Sequence, residues 1–176
     1  MTSSELTDLN YHEARILILL GAFPHGISGL TKLAKLDFLL RYPTVLFDFL
    51  RRDGKKVSSD AAPTQAEARA VESPMIRYKY GPWDSKYYPV LGALIAKNLV
   101  EPEIGVRTTI FKLTDLGRAT SSDLAANATW AVVASRTKLL KRHFDVSGSA
   151  LKTRIYSELS TLMDRAHRSS IPLPEK

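Results

Sequence analysis

The sequence contains no cysteine, which excludes disulfide bridges, thiolate metal sites and a cysteine nucleophile. It also has no long apolar run, because the longest one, Ile16 to Phe23, is interrupted by Gly21 and is far too short to span a bilayer. Residues 1–10 are polar and acidic, so no secretory signal is expected there. These absences predict a cytoplasmic protein that has no membrane partner.

Catalytic and metal-binding patterns are missing as well. The four histidines are scattered and never stand at the spacing of a helical metal site, and there is no glycine-rich phosphate loop. Ser149 to Lys152 match the Ser-x-x-Lys nucleophile pattern by letter, but the partner motifs are absent and a helix start explains the serine. The sequence therefore predicts a protein that is not an enzyme and that needs no cofactor and no metal.

The charge balance is positive, with a formal net charge of +7. Such a balance favours a polyanionic partner, which includes nucleic acid, an anionic membrane and an acidic protein surface. Most of the excess positive charge lies in the stretch 130–168. The alternative is that these basic residues form the solvated faces of amphipathic helices.

Apolar residues at helical spacing, together with turn residues, divide the chain into predicted elements. Thr44 and Thr114 are expected to cap helices, and Pro89 indicates a late or irregular helix start. Phe111 and Leu113 are expected to face one side of their strand. In the stretch 30–41, Lys32, Lys35 and Asp37 are expected on the polar side. With their caps, helices are predicted over 10–22, 30–41, 44–52, 84–98, 114–127, 130–144 and from 147 onward, and strands over 75–80, 99–104 and 108–113.

This order predicts a mainly α fold with a small β-hairpin, namely a winged helix-turn-helix core with added C-terminal helices. The hairpin would be the wing, and the helix before it would occupy the place of the recognition helix. The chain is expected to divide into a flexible N-terminus (1–9), the winged-helix core (10–127) with a loop insertion near 54–74, a C-terminal helical appendage (128–168) and a flexible tail (169–176).

Two sets of residues are candidates for binding a partner. Basic residues on and beside the predicted hairpin are candidates for contact with DNA phosphates, namely Lys86, Lys97, Arg107 and Lys112. Aromatic residues before the hairpin and basic residues of the C-terminal helices are candidates for a partner interface, namely Tyr80, Trp83, Tyr87, Tyr88, Arg136, Lys141 and Arg142. The aromatic residues can equally pack a strand against a helix.

Three stretches carry a resemblance to a known family. They are Gly29 to Pro43 (GLTKLAKLDFLLRYP), Arg77 to Asp84 (RYKYGPWD) with Tyr87-Tyr88 and Leu91 after it, and Leu113-Thr114 to Gly117. As a set they resemble the middle-component winged-helix proteins of bacterial ABC-three-component systems. That group is similar to the small accessory subunit of Lamassu-type antiphage defence. The resemblance covers roughly residues 10–125 and contains no catalytic signature.

The resemblance implies a set of partners. Such proteins are encoded beside an SMC- or RecN-like ABC ATPase and an effector, often a nuclease, and are thought to bridge or regulate the two. On this interpretation the chain is a non-catalytic accessory subunit of the defence complex, with double-stranded DNA as a further candidate partner. The matching positions are better interpreted as fold or interface residues: Lys32, Lys35, Arg41, Tyr80, Trp83 and Asp84. The alternative function is a winged-helix transcriptional regulator that binds duplex DNA as a dimer.

Overall fold

A computed structural model describes residues 3–70 and 86–157, which are mainly helical and carry one small antiparallel sheet. The helices are α1 (Ser3–Gly21), α2 (Leu30–Arg41), α3 (Pro43–Arg52), α4 (Gln65–Ala70), α5 (Tyr87–Ala96), α6 (Asp115–Ala126), α7 (Ala131–Phe144) and α8 (148–157), with single 3-10 turns at Ser59–Ala61 and Ala128–Trp130. The strands are β1 (Ile27–Ser28), β2 (Val100–Ile104) and β3 (Thr109–Leu113).

Most predicted elements are confirmed close to their expected bounds, and α2 has the bounds that the sequence predicts. The largest difference is at the N-terminus. The segment 1–9, for which the sequence predicts flexibility, is helical from Ser3 on. Tertiary contacts explain the longer helix, because Leu9 packs against the core and Asp8 forms an ion pair with Lys86. The predicted strand 75–80 and the tail 169–176 lie outside the described residues.

The sheet has the strand order β1-β3-β2 with β3 in the middle. Strands β2 and β3 form the predicted hairpin, in which Val100 pairs with Leu113 and Ile104 with Thr109. Side chains alternate along β3 as expected, so that Phe111 and Leu113 face the core. Strand β1 is a two-residue segment that the sequence analysis missed, since no periodicity can be seen over so short a stretch.

The start of α3 differs from the expected capping, whereas the start of α5 agrees with the expectation from Pro89. Thr44 does not cap α3, because Pro43 is already the first helical residue and the hydroxyl of Thr44 is buried without a hydrogen bond. Helix α5 begins at Tyr87, which places Pro89 in the first turn, where its missing N–H is not needed. The late start that Pro89 indicates is therefore confirmed.

The start of α6 is built as the sequence predicts. The hydroxyl of Thr114 accepts a hydrogen bond from the backbone N–H of Gly117 at 2.9 Å, which caps the helix. A Cβ at Gly117 would stand 1.9 Å from the carbonyl oxygen of Leu99, so only glycine fits this approach of helix to hairpin. The cap and the glycine together fix how the β2–β3 hairpin joins the helical body.

Helix α2 lies at the centre of the fold. The prediction that one side of this helix is polar and faces solvent is therefore wrong. All its residues from Lys32 to Leu40 are buried, and Asp37 is fully inaccessible. Helices cover α2 on several sides, so its charged side chains need partners inside the fold. The same hydrophobic core contains Leu140 and Phe144 of α7 and Leu151 and Ile155 of α8. The C-terminal helices are therefore part of the main packing unit.

Candidate protein-interaction surface

Helix α5 packs one side into the core. Tyr87, Val90, Leu91 and Leu94 are buried on that side at the spacing of three and four residues that a helix face requires. Ile95 is also apolar and follows Leu94 directly, but its side chain is 38% exposed. The buried side is thus narrower than the apolar pattern of the sequence suggests.

The opposite side of α5 is exposed and also lacks charge. We call it the α5 face: Tyr88, Pro89, Gly92, Ile95 and Ala96. Tyr88 is 64% exposed, and a Cβ placed on Gly92 would have no atom within 4 Å from the other described elements of the fold. Because the residues between 87 and 96 include no charged side chain, this face offers apolar contact and one phenol group. An exposed apolar helix face of this kind is typical of a protein-binding surface.

A buried polar cluster holds the inner side of α5. The hydroxyl of Tyr87 donates a hydrogen bond to Oδ2 of Asp37 at 2.7 Å, and Nε of Arg15 donates to Oδ1 at 2.6 Å. Nε2 of His12 lies 3.4 Å from Oδ2 without hydrogen-bond alignment, so it is an electrostatic contact. The carboxylate of Asp37 therefore joins helices α1, α2 and α5. These hydrogen bonds fix the position of α5 relative to the other two helices.

The ionisation of this cluster follows from its partners. Burial opposes the charged form of Asp37, but His12 and Arg15 outweigh burial and hold its pKa well below the usual value. Burial and then the negative charge of Asp37 raise the pKa of the Tyr87 hydroxyl. At neutral pH the cluster therefore contains a carboxylate, a guanidinium and a neutral phenol.

The two lysines at the ends of α5 are paired within the chain. Nζ of Lys86 lies 2.5 Å from Oδ2 of Asp8, and Nζ of Lys97 forms an ion pair with the buried carboxylate of Glu13. Both acids belong to α1, so the two pairs fasten the ends of α5 to that helix. These candidates for phosphate contact already have anionic partners in the fold, which weakens them as DNA contacts.

The tip of the β2–β3 hairpin exposes apolar side chains and little unpaired positive charge. Lys112 is paired with Glu103 on the neighbouring strand. Arg107 is exposed and forms no ion pair among the described residues. Ile104 and Val106 at the tip are 89% and fully exposed, respectively. Of the four DNA candidates, Arg107 alone combines exposure with a charge that the described acidic residues leave unneutralised.

Arg136 of α7 is buried and holds parts of the fold together, so it is not available at the surface as an interface residue. Its guanidinium donates to the carbonyl oxygens of Ala61 and Ala62 and to both carboxylate oxygens of Glu67 on α4. These bonds fix the stretch 59–67, which lies within the predicted loop insertion near 54–74. The hydrogen bonds from Arg136, followed by one from the Thr64 backbone, lower the pKa of Glu67 to about 2 despite partial burial.

The Glu67–Arg136 pair predicts a specific pH dependence of stability. Glu67→Gln is expected to lower the free energy of unfolding at pH 7 by about 1 kcal/mol, because Glu67 is partly exposed and solvent screens the pair. The pKa is depressed from its usual value of 4.5, so the contribution is complete above pH 4.5 and disappears as the pH falls to about 2. Urea denaturation at a series of pH values measures the difference. Glu101→Gln, at an exposed position on β2, is the control, and a difference from wild type that is constant with pH contradicts the assignment.

The remaining interface candidates fall into three groups. Tyr80 and Trp83 lie outside the described residues. Tyr87 and Arg136 are buried and bonded within the chain, so the exposed interface candidates are Tyr88 and Arg142. Lys141 is half-buried, forms an ion pair with Asp145 and lies over the ring of Phe23.

Within the described residues, no group of three or more histidine, aspartate and glutamate side chains is arranged to hold a metal ion.

Comparison with known proteins adds no relative, since no protein-family model, no curated protein and no solved structure matches the chain. No helix in the described part of the chain is both long and apolar enough to cross a membrane. The surface chemistry of the chain, with the resemblance of its motifs, is therefore the basis for a functional proposal.

Proposed function

We propose that this chain is a non-catalytic accessory subunit that binds a protein partner through the α5 face. The partner class that we propose is an SMC- or ABC-type ATPase complex of antiphage defence, in which the chain bridges or regulates the ATPase and its effector in the cytoplasm. The resemblance of the stretches 29–43, 77–84 and 113–117 to middle-component proteins supports this partner class.

The proposal includes a winged-helix assignment for the core. The succession of α1, β1 and α2, followed after further helices by α5, β2 and β3, is the order of elements in winged-helix domains. The strand order β1-β3-β2 supports the assignment, because the wing hairpin of such a domain adds to the short first strand through its second strand. On this assignment α5 is the helix that a DNA-binding relative would insert into the major groove.

One observation carries the choice of protein over DNA as the partner of α5: its exposed face has no charged or amide side chain. Direct readout of bases relies on arginine, lysine, asparagine and glutamine at the recognition helix. Helix α5 has the sequence YYPVLGALIA and so contains none of them. The lysines that flank it are paired with α1. This chemistry favours a helix that docks onto an apolar protein surface and disfavours the transcriptional regulator.

A substitution at Gly92 tests the proposal with little risk to the fold. Gly92→Arg is expected to weaken capture of the ATPase or effector about tenfold or more, because a long charged side chain would stand in the apolar contact. The fold should be retained, since a Cβ at Gly92 meets open space and arginine favours a helix more than glycine does. The measurement is co-purification of the tagged chain with the proteins of its genomic neighbours, identified by mass.

Ser122→Arg is the matched control, because it adds the same side chain to an exposed position on α6. We expect this variant to capture the partner as wild type does. Wild-type capture by Gly92→Arg would contradict the role of the α5 face. A chain that purifies as a lone dimer and prefers one DNA sequence over random DNA by about 4 kcal/mol would support the transcriptional regulator instead.

A further inference from the structure

Among the described residues, a cluster of unpaired positive charge lies away from α5, where the end of α3 meets α7 and α8. We call it the basic face: Lys55, Lys56, Lys138, Arg142 and Arg154. The first four are exposed and form no ion pair within the described part of the chain, unlike the lysines around α5. Arg154 is paired with Asp53, the acid that lies among them.

The contacts of Arg154 join the three elements that carry the basic face. Its guanidinium lies over the rings of Phe144 and Phe49, at 4.6 and 5.3 Å from their centroids, and reaches Asp53 at the end of α3. Helix α8 is thereby fixed against both α3 and α7. Lys138 and Arg142 are one helical turn apart on α7 and so project from the same side.

The surroundings of His143 show that the cations act on one another. Its pKa is lowered by burial first and then by the charges of Lys55 and Arg142, with Arg154 adding to them and Asp53 opposing. Residues from three separate elements therefore create one region of positive potential. A cavity of about 210 Å³ adjoins Lys55 and is lined by Arg51 and by Ser58 and Ser59, whose hydroxyls can donate to phosphate oxygens.

We propose that the basic face binds the phosphate backbone of double-stranded nucleic acid without reading its sequence. The positive charge of this face is complementary to a polyanion. Several unpaired cations lie side by side, although their mutual repulsion destabilises the fold, and the phosphates of a bound polyanion would neutralise them. This inference is independent of the protein-binding role of α5, since it concerns other elements of the fold and can be tested on the isolated chain.

The aromatic residues of the basic face distinguish a duplex from other polyanions. Single-stranded binding relies on exposed rings on which bases stack, and membrane binding relies on exposed apolar groups beside the cations. Phe49 and Phe144 are both buried beneath Arg154, and Phe47, which lines the cavity, is partly buried. Among the described residues this face therefore offers charge and hydrogen-bond donors but no fully exposed ring for stacking or insertion. A duplex presents phosphates alone to such a surface.

The test compares two variants of the full chain that each lose three positive charges. Lys55→Gln/Lys56→Gln/Arg142→Gln alters the basic face, and Lys86→Gln/Arg107→Gln/Lys112→Gln alters the hairpin region that the sequence analysis singled out. Fluorescence anisotropy with a duplex of about 20 base pairs of random sequence measures affinity at several salt concentrations. The first variant is expected to bind about tenfold more weakly and to reduce the salt slope by roughly 2 to 3, whereas the second binds nearly as wild type does.

Several outcomes would overturn the inference: no duplex binding by wild type, equal or tighter binding to single strands or to phosphatidylserine vesicles, or loss of binding in the hairpin variant alone. Retention of wild-type affinity by the first variant would overturn it too. All six altered residues keep polar side chains, and circular dichroism and thermal unfolding confirm that each variant is folded. Gly92→Arg should bind the duplex at least as well as wild type, so a failed protein-capture experiment leaves this inference separately testable.

Discussion

Asp37→Ala is expected to lower the free energy of unfolding by about 3–5 kcal/mol, a large part of the total stability of a domain of this size. The carboxylate is fully buried and joins α1 and α5 to α2 through Arg15 and Tyr87. Its removal leaves the guanidinium of Arg15 buried, with no anion within bonding distance among the described residues, and leaves the Tyr87 hydroxyl with the Ala34 carbonyl at 3.4 Å. An unpaired buried charge costs several times as much as a lost surface pair.

Asp48→Ala is the control for this prediction. It removes the same side chain from the neighbouring helix α3, where Asp48 pairs with Arg51 in an exposed position one turn away. Its expected cost is about 0.5 kcal/mol or less. Urea denaturation of both variants at neutral pH gives the comparison. Similar stabilities for the two variants would mean that the buried cluster does not hold α5 in place.

Gly117→Ala is expected to destabilise the fold by about 3 kcal/mol or more, although it adds a single methyl group. The added Cβ would lie 1.9 Å from the carbonyl oxygen of Leu99, and the same carbonyl accepts a hydrogen bond from the N–H of Thr114. Because the obstacle is backbone, the helix start and the hairpin must separate, which costs more than moving a flexible side chain.

Gly92→Ala is the matched comparison, since it makes the same chemical change in another helix. Its Cβ meets open space, and alanine has the higher helix propensity, so a stabilisation of about 0.8–1 kcal/mol is expected. Chemical denaturation should therefore move the two variants in opposite directions from wild type. A Gly117→Ala variant as stable as wild type or more stable would contradict the close approach at Gly117.

Several parts of the fold are predictable from local sequence. The Thr114 cap, the alternation along 109–113 and the late start that Pro89 imposes on α5 each depend on neighbouring residues, and each is confirmed. Such features follow from local backbone chemistry, which a single sequence contains in full. Strand β1 is the exception among the local elements, because two residues show no pattern.

The polar interior is not predictable in the same way. Asp37 stands in a helix whose hydrophobic residues suggest a core side and a polar side, yet other helices cover α2 from Lys32 to Leu40. One signal was available: apolar residues occupy so many positions of 33–40 that little of the helix circumference is left for solvent. The partner of Arg136 is harder to find, since Glu67 lies 69 residues earlier in a stretch with few large apolar residues.

The candidate site shows the same division between local and long-range information. The uncharged sequence of α5 is visible in the sequence, but its exposure becomes clear only when Tyr87, Val90 and Leu94 are seen to pack inward. The pairing of Lys86 and Lys97 with α1 depends on distant residues in the same way. The cations of the basic face that have no ion pair among the described residues come from separate elements, so no single segment of the sequence indicates this face.

The most direct test of the account is a photo-crosslink from the α5 face. Tyr88→p-benzoylphenylalanine places a photoreactive ring on an exposed position, and the same substitution at Ser122 on α6 is the control. After co-expression with the genomic neighbours and irradiation, the account predicts a covalent adduct with the ABC ATPase or the effector from position 88 and none from position 122. An adduct from position 122 without one from position 88 would contradict the claim that α5 is the protein-binding surface.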